Sequence, residues 1–209
     1  MTSRTSRSWL IAAAACGAAF LGLTLWVRFG GPIPLDERLL RAAEWGAAEP
    51  HADVTGLYSF FGGLGSPIVA MLFVAVAFAI VLRNIGLSAA LLVPAAALIA
   101  VAEVPLSHGL GQTQAARELG FPAGGYPSGH AVFTLPTFGM LAWLGWRHGR
   151  PEVAAVSLAV VVLTAISRVA DRAHLLDEVL GAYLLGAAWL CLVIAVAGEP
   201  GQGSRPSAR

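Results

Sequence analysis

The chain has 209 residues, 57% of them hydrophobic and 12% charged, and its mean hydropathy is +0.73. A water-soluble domain carries about 25% charged residues to solvate its surface, so much of this surface faces lipid, and a net charge of +1 with pI near 7.9 excludes nucleic acid as a partner. All 13 basic residues are arginine, which excludes Schiff-base chemistry and any lysine-dependent phosphate site.

The first predicted element is the uncharged run 9–27, preceded by Arg4 and Arg7. It exceeds the roughly 7–15-residue apolar core of a signal peptide and lacks a clear small-residue cleavage site, so it reads as a transmembrane anchor. Within it, Cys16, like Cys191 near the other end of the chain, lies in a long apolar run and reads as a small buried hydrophobe, not a disulfide or zinc ligand. Next comes an amphipathic helix across 35–45, with Leu35, Leu39, Leu40 and Ala43 on one face; it reads as a connector lying flat on the outer membrane interface.

Five further apolar runs follow at 66–82, 85–102, 131–146, 153–167 and 179–197. Pro67 falls in a first helical turn, where proline is tolerated, while Pro94 and Pro136 are expected to kink their helices. The runs 131–146 and 153–167 fall short of the roughly 17–25 residues a span needs, and reach it only by taking in flanking polar residues such as His130 and Arg168. Trp9, Trp26 and Trp146 sit near span ends as interfacial anchors.

Six spans put both termini on one side, together with Arg4, Arg7, Arg83, Arg147, Arg150, Arg205 and Arg209. That arginine bias makes the termini cytoplasmic. The expected organisation is a cytoplasmic N-terminus (1–8), an all-α six-transmembrane-helix bundle (9–197) and a disordered cytoplasmic tail (198–209). His51 and His148 are expected at the surface, and Asp171 with Arg172 as an exposed pair.

Two loops on the outer side hold most of the chemically capable residues. One ends Tyr126-Pro127-Ser128-Gly129-His130 and runs into the fourth span; the other runs from Ser167-Arg168 to His174-Leu175-Leu176-Asp177-Glu178. Ser128 and Gly129 at a helix N-terminus offer backbone N–H groups and a positive dipole end to an anion. Arg168 supplies a forked contact to phosphate oxygens. A carboxylate three or four residues beyond His174 lies alongside it on a helix, holding one imidazole nitrogen and leaving the other to attack. His130 is placed to protonate a departing oxygen. Taken singly, each has a plainer role: His130 as a cap, Arg168 snorkelling to headgroups, Asp177 and Glu178 complementing a helix dipole.

Taken together, Tyr126 to His130 followed by Ser167-Arg168, five residues and His174 resemble the membrane branch of the type-2 phosphatidic acid phosphatase superfamily, whose relatives include vanadium-dependent haloperoxidases. The likeness covers roughly residues 35–190. It implies the six-helix fold of that family and a mechanism without metal or cofactor. His174 attacks phosphorus to give a phosphohistidine, His130 protonates the leaving group, Arg168 with Ser128 and Gly129 binds phosphate, and a carboxylate orients His174. Family spacing favours Glu178 for that last role, whereas register with Gly181 favours Asp177; residue type tips the expectation to Asp177. The family's first motif carries a lysine and an arginine where this chain has Ser107 and Gln114. Each missing charge-assisted contact is worth about 1.5–3 kcal/mol, and Arg117, Arg172 and His108 are the candidates to replace them.

The resulting expectation is a multi-pass enzyme of the cell membrane. It removes phosphate from a lipid phosphomonoester or diphosphate on the extracytoplasmic face, with the lipid substrate and the bilayer as partners and nothing that sets an oligomeric state. The alternatives are a catalytically weakened relative that binds lipid or a partner, and a phosphotransferase. A transporter is disfavoured because the expected spans carry no mid-span charge.

Overall fold

A computed structural model of the chain describes residues 4–48, 56, 60–61, 63, 65–121 and 125–198; these are helical or in turns, with no strand among them. In chain order the helices are α1 (Arg4–Phe29), α2 (Pro34–Ala48), α3 (Pro67–Asn84), α4 (Leu87–Ala97), α5 (Ile99–Leu110), α6 (Gln114–Glu118), α7 (Gly129–Arg147), α8 (Pro151–Ala170) and α9 (Leu176–Ala197). His51, Arg205, Arg209 and nearly all of the expected tail lie outside the described residues.

Local chemistry sets several boundaries. Ser66, with extended φ −65° and ψ 141°, precedes Pro67 at the first position of α3, where a missing N–H costs nothing. The tight α3–α4 connection turns at Gly86, whose φ of 133° suits glycine alone. Pro94 does not stop the third expected span. The chain passes α4, turns briefly at Leu98, whose N–H reaches the Pro94 carbonyl at 3.1 Å, and continues as α5 to Leu110. This span therefore runs Leu87–Leu110, beyond the expected end at 102, because Glu103 interrupts an apolar run without opposing helix formation. Glu103, Ser107 and His108 thereby move from an expected loop onto the last third of this helical span.

Among the described residues, five helices are long and apolar enough to cross a membrane: Thr5–Phe29, Pro67–Asn84, Leu87–Leu110, Pro151–Ala170 and Leu176–Ala197. The other expected span is α7, 19 residues long, or about 28 Å at 1.5 Å per residue. It runs as helix through Pro136 and packs against α4, α5, α8 and α9. Most of its length from Ala131 to Gly145 is buried, including Thr134 and Thr137. A helix so enclosed by protein does not need lipid-facing side chains, which explains its lower apolarity.

Around this central helix, large apolar side chains point outward: Phe29, Ile68, Val101 and Val196 are 70–80% exposed. Apolar surface of that extent on every candidate span suits a hydrocarbon surround, and the chain is a multi-pass membrane protein. Inside, α3, α4, α7 and α9 meet in a cluster of Ala77, Val81, Ala90, Val93, Met140, Leu144 and Ile194. Lipid gives helices no hydrophobic reason to associate, so small residues that allow close approach matter. A Cβ on Gly186 of α9 would lie 3.0 Å from Pro136 Cδ, and one on Gly139 of α7 2.6 Å from Leu190 Cδ2.

In helix α2, Leu35 is 47% exposed, whereas Asp36 is 1% exposed. The helix packs against α8 and α9, so it is joined to the bundle by a polar residue.

Candidate active site

The turn between α8 and α9 folds back on Arg168. The N–H groups of Ala173 and His174 both donate to the Arg168 carbonyl at 3.1 Å. Arg172 supplies the reversal with a left-handed φ of 54°, a conformation costly for a side chain with a Cβ. His174 is thus delivered to the mouth of α9. There its Nδ1 lies 2.9 Å from Glu178 Oε2, and Glu178 is fully buried. The same oxygen accepts the Leu175 N–H at 3.3 Å, one half of a capping box. A carboxylate that faces Nδ1 and accepts from the Leu175 N–H favours the tautomer with its proton on Nδ1.

The expected partner of His174, Asp177, is corrected to Glu178. His174 precedes the first turn of α9, and the Glu178 side chain reaches back to it and to the Leu175 N–H, whereas Asp177 is buried beside Asp36 and Glu178. Asp171 and Arg172 are both exposed, and Asp171 also pairs with Arg168. Its Oδ2 accepts from Arg168 Nη2 at 2.9 Å, holding the nearly buried guanidinium in place. Burial pushes the Asp171 carboxyl above its ordinary range and the Arg168 charge opposes this.

The second loop is stitched to the first through the backbone, since Ser128 N–H donates to the Glu178 carbonyl at 3.2 Å. Ser128 is the N-cap residue of α7, extended at φ −66°, ψ 115°, with its hydroxyl fully buried and without a hydrogen-bond partner among the described residues. Tyr126 anchors the loop from below. Its ring stacks on Phe20 of α1 at 5.9 Å and its hydroxyl meets Thr24 Oγ1 at 3.0 Å. Burial pushes the phenol up to about 12, so it is a neutral structural group. The ring fills the space over Gly181, where a Cβ would fall 2.3 Å from Tyr126 Cε2. His130, one residue into α7, packs against Gly65: a Cβ there would meet its ring at 2.3 Å.

Three expected site residues, Ser128, His174 and Arg168, are thus linked through direct contacts that pass by way of Glu178. Ser128 is joined to the Glu178 backbone, Glu178 to His174, and His174 to Arg168, while Gly129 and His130 follow Ser128 on α7. The first-motif positions are engaged elsewhere. Ser107 Oγ donates to the Val104 carbonyl at 3.1 Å and His108 Nδ1 lies 2.6 Å from it. Gln114 Nε2 donates to Glu118 Oε1 at 2.7 Å. Arg117 donates to the Gln112 carbonyl at 2.6 Å and to Gln114 Oε1 at 2.8 Å. The side chain that approaches α7 from this region is Glu103, whose Oε2 is 2.9 Å from the Cβ position of Gly129.

Two residues escaped sequence reasoning, Glu103 and Asp36. Glu103 was detectable as the acid ending an otherwise apolar run; Asp36 was not, for its partners lie 140 positions away.

Residues 105–201 match the family model described as the PAP2 superfamily. The matched segment, somewhat under half of the chain, is similar to the PAP2 superfamily. The PAP2 match begins in α5 and takes in both loops described above. A solved structure titled "Crystal structure of the first transmembrane PAP2 type phosphatidylglycerolphosphate phosphatase from Bacillus subtilis" is similar with a TM-score of 0.66, covering 87% of this chain and 94% of that one at 18% identity. At that identity the likeness shows a shared fold. No curated protein matches the sequence.

Proposed function

We propose that this membrane protein is a phosphatase acting on a lipid phosphomonoester or diphosphate at the extracytoplasmic face of the cell membrane, through a phosphohistidine and without metal. The observation that carries the reading is the buried Glu178 carboxylate on Nδ1 of His174. It fixes the tautomer and stabilises the imidazolium that forms when Nε2 attacks phosphorus. The P–O bond to the lipid breaks as the N–P bond forms, and the departing oxygen takes a proton from His130. Water, deprotonated by His130, then attacks phosphorus; the N–P bond breaks, freeing phosphate and returning His174. The α7 N-terminus at Ser128 and Gly129, with the remaining N–H groups of Arg168, supports charge on the phosphate oxygens.

A second reading is supported by the environment of Gly129. Ser107 and Gln114 supply no positive charge, and the Glu103 carboxylate stands beside the α7 N-terminus. A relative that binds a lipid phosphate without turning it over fits that arrangement.

The deciding experiment is phosphate release by the detergent-purified chain from phosphatidic acid, phosphatidylglycerophosphate and a polyprenyl diphosphate, in chelator, beside His174→Ala. Hydrolysis by the wild type and at least about a 10³-fold loss in the variant are expected. Binding without release favours the second reading, and activity that survives the substitution removes His174 from the mechanism.

A further inference from the structure

Helix α9 begins with an unusual deficit. Its N-cap residue is Leu175, extended at φ −75°, ψ 160° as a cap should be but with no side-chain oxygen to offer the first N–H groups. Caps are normally Ser, Thr, Asp or Asn for that reason. The missing acceptor comes from a remote element. Asp36 Oδ1 of α2 accepts the Leu176 N–H at 3.0 Å and the Asp177 N–H at 3.4 Å.

We infer that Asp36 is a positioning residue for the reaction: it caps α9 from α2 and thereby fixes the first turn of α9, which aims Glu178 at His174. The inference rests on the proposed roles of His174 and Glu178. Three observations support it. Asp36 is 1% exposed although it belongs to a helix outside the candidate spans. Its own N–H is held by the Ile33 carbonyl at 2.9 Å, so the side chain is presented from a fixed backbone. The turn it caps also carries the Glu178 contact to the Leu175 N–H. Two carboxylates therefore share the first N–H groups of one helix, Asp36 taking those of Leu176 and Asp177 and Glu178 that of Leu175. Losing Asp36 leaves Glu178 as the acceptor closest to three donors, and draws it away from the imidazole.

The test compares wild type with Asp36→Asn, Asp36→Ala and Asp36→Glu in detergent micelles. Three quantities are read: amide hydrogen exchange over 174–180, the imidazole ¹⁵N shifts of His174, and kcat and KM on phosphatidic acid. Asparagine keeps the capping oxygen and should match wild type in all three. Alanine should raise exchange at Leu176 and Asp177 about fivefold, shift the His174 Nδ1 resonance, and lower kcat by between about 10- and 100-fold with KM within about twofold. Glutamate keeps the charge but misplaces the oxygen and should resemble alanine, so it serves in place of alanine if that protein does not fold. Wild-type exchange in the alanine or glutamate protein would overturn the inference, and so would faster exchange with unchanged His174 signals. Exchange and ¹⁵N shifts need no turnover. If wild type releases no phosphate, the proposed function fails while these two readouts still decide the role of Asp36.

Discussion

At the residue scale, the pairing of His174 with Glu178 separates two adjacent acids that sequence alone treats as rivals. Glu178→Gln removes the charge that stabilises the imidazolium and should lower kcat on the order of 10²–10⁴-fold, whereas Asp177→Asn should change kcat by less than about tenfold. Steady-state kinetics on one lipid phosphate checks both. Asp36 has a measurable consequence of its own. Burial, more than the opposing backbone hydrogen bonds from Asp177, Ile33 and Leu176, raises its carboxyl above the ordinary 3.8, with the Glu178 charge adding to the rise. A raised carboxyl favours the protonated folded state, so its contribution to stability is complete below 3.8 and is lost as pH climbs through the folded value. Asp36→Asn keeps the cap and has nothing to ionise. Its stability advantage over wild type should therefore grow as pH rises above about 4 and then level off, which thermal unfolding across pH reads directly.

At the element scale, the structure explains which parts of the chain were legible. The helices at 9–27, 66–82, 153–167 and 179–197 were visible because each presents a side of itself to lipid and is apolar throughout. The third span was misjudged at its end, where Glu103 broke the hydropathy without breaking the helix. Of the site, the residues on two contiguous loops were legible as a motif, whereas the Asp36 cap depends on a tertiary contact that no local spacing announces. Helix-to-helix fit is testable at Gly181. Gly181→Ala drives a Cβ into the Tyr126 ring, which is itself pinned between α1 and α9 by Phe20 and Thr24. Overpacking of this kind costs about 1–3 kcal/mol, seen as a lower Tm, and Tyr126→Ala in the same chain should recover part of it in a double-mutant cycle.

For the whole molecule, the distribution of arginine and the placement of the site give a topology that can be tested directly. In a chain carrying Cys16→Ser and Cys191→Ser, a cysteine at position 172, beside the candidate site, should react with a membrane-impermeant thiol reagent in intact cells. One at position 148, just past α7, should react only after the membrane is opened. Reversed labelling would place the reaction on the cytoplasmic face. The enclosed position of α7 reaches further, into how the protein is made. A helix carrying His130, Thr134, Thr137 and Pro136 is a poor candidate to partition into lipid unaided, yet it sits at the centre of the finished bundle. During synthesis α3, α4 and α5 emerge before it, and α8 and α9 after it. Its entry into the bilayer is therefore expected to depend on helices that precede and follow it, so that the segment bearing the Ser128–His130 motif is set in place as its neighbours assemble around it.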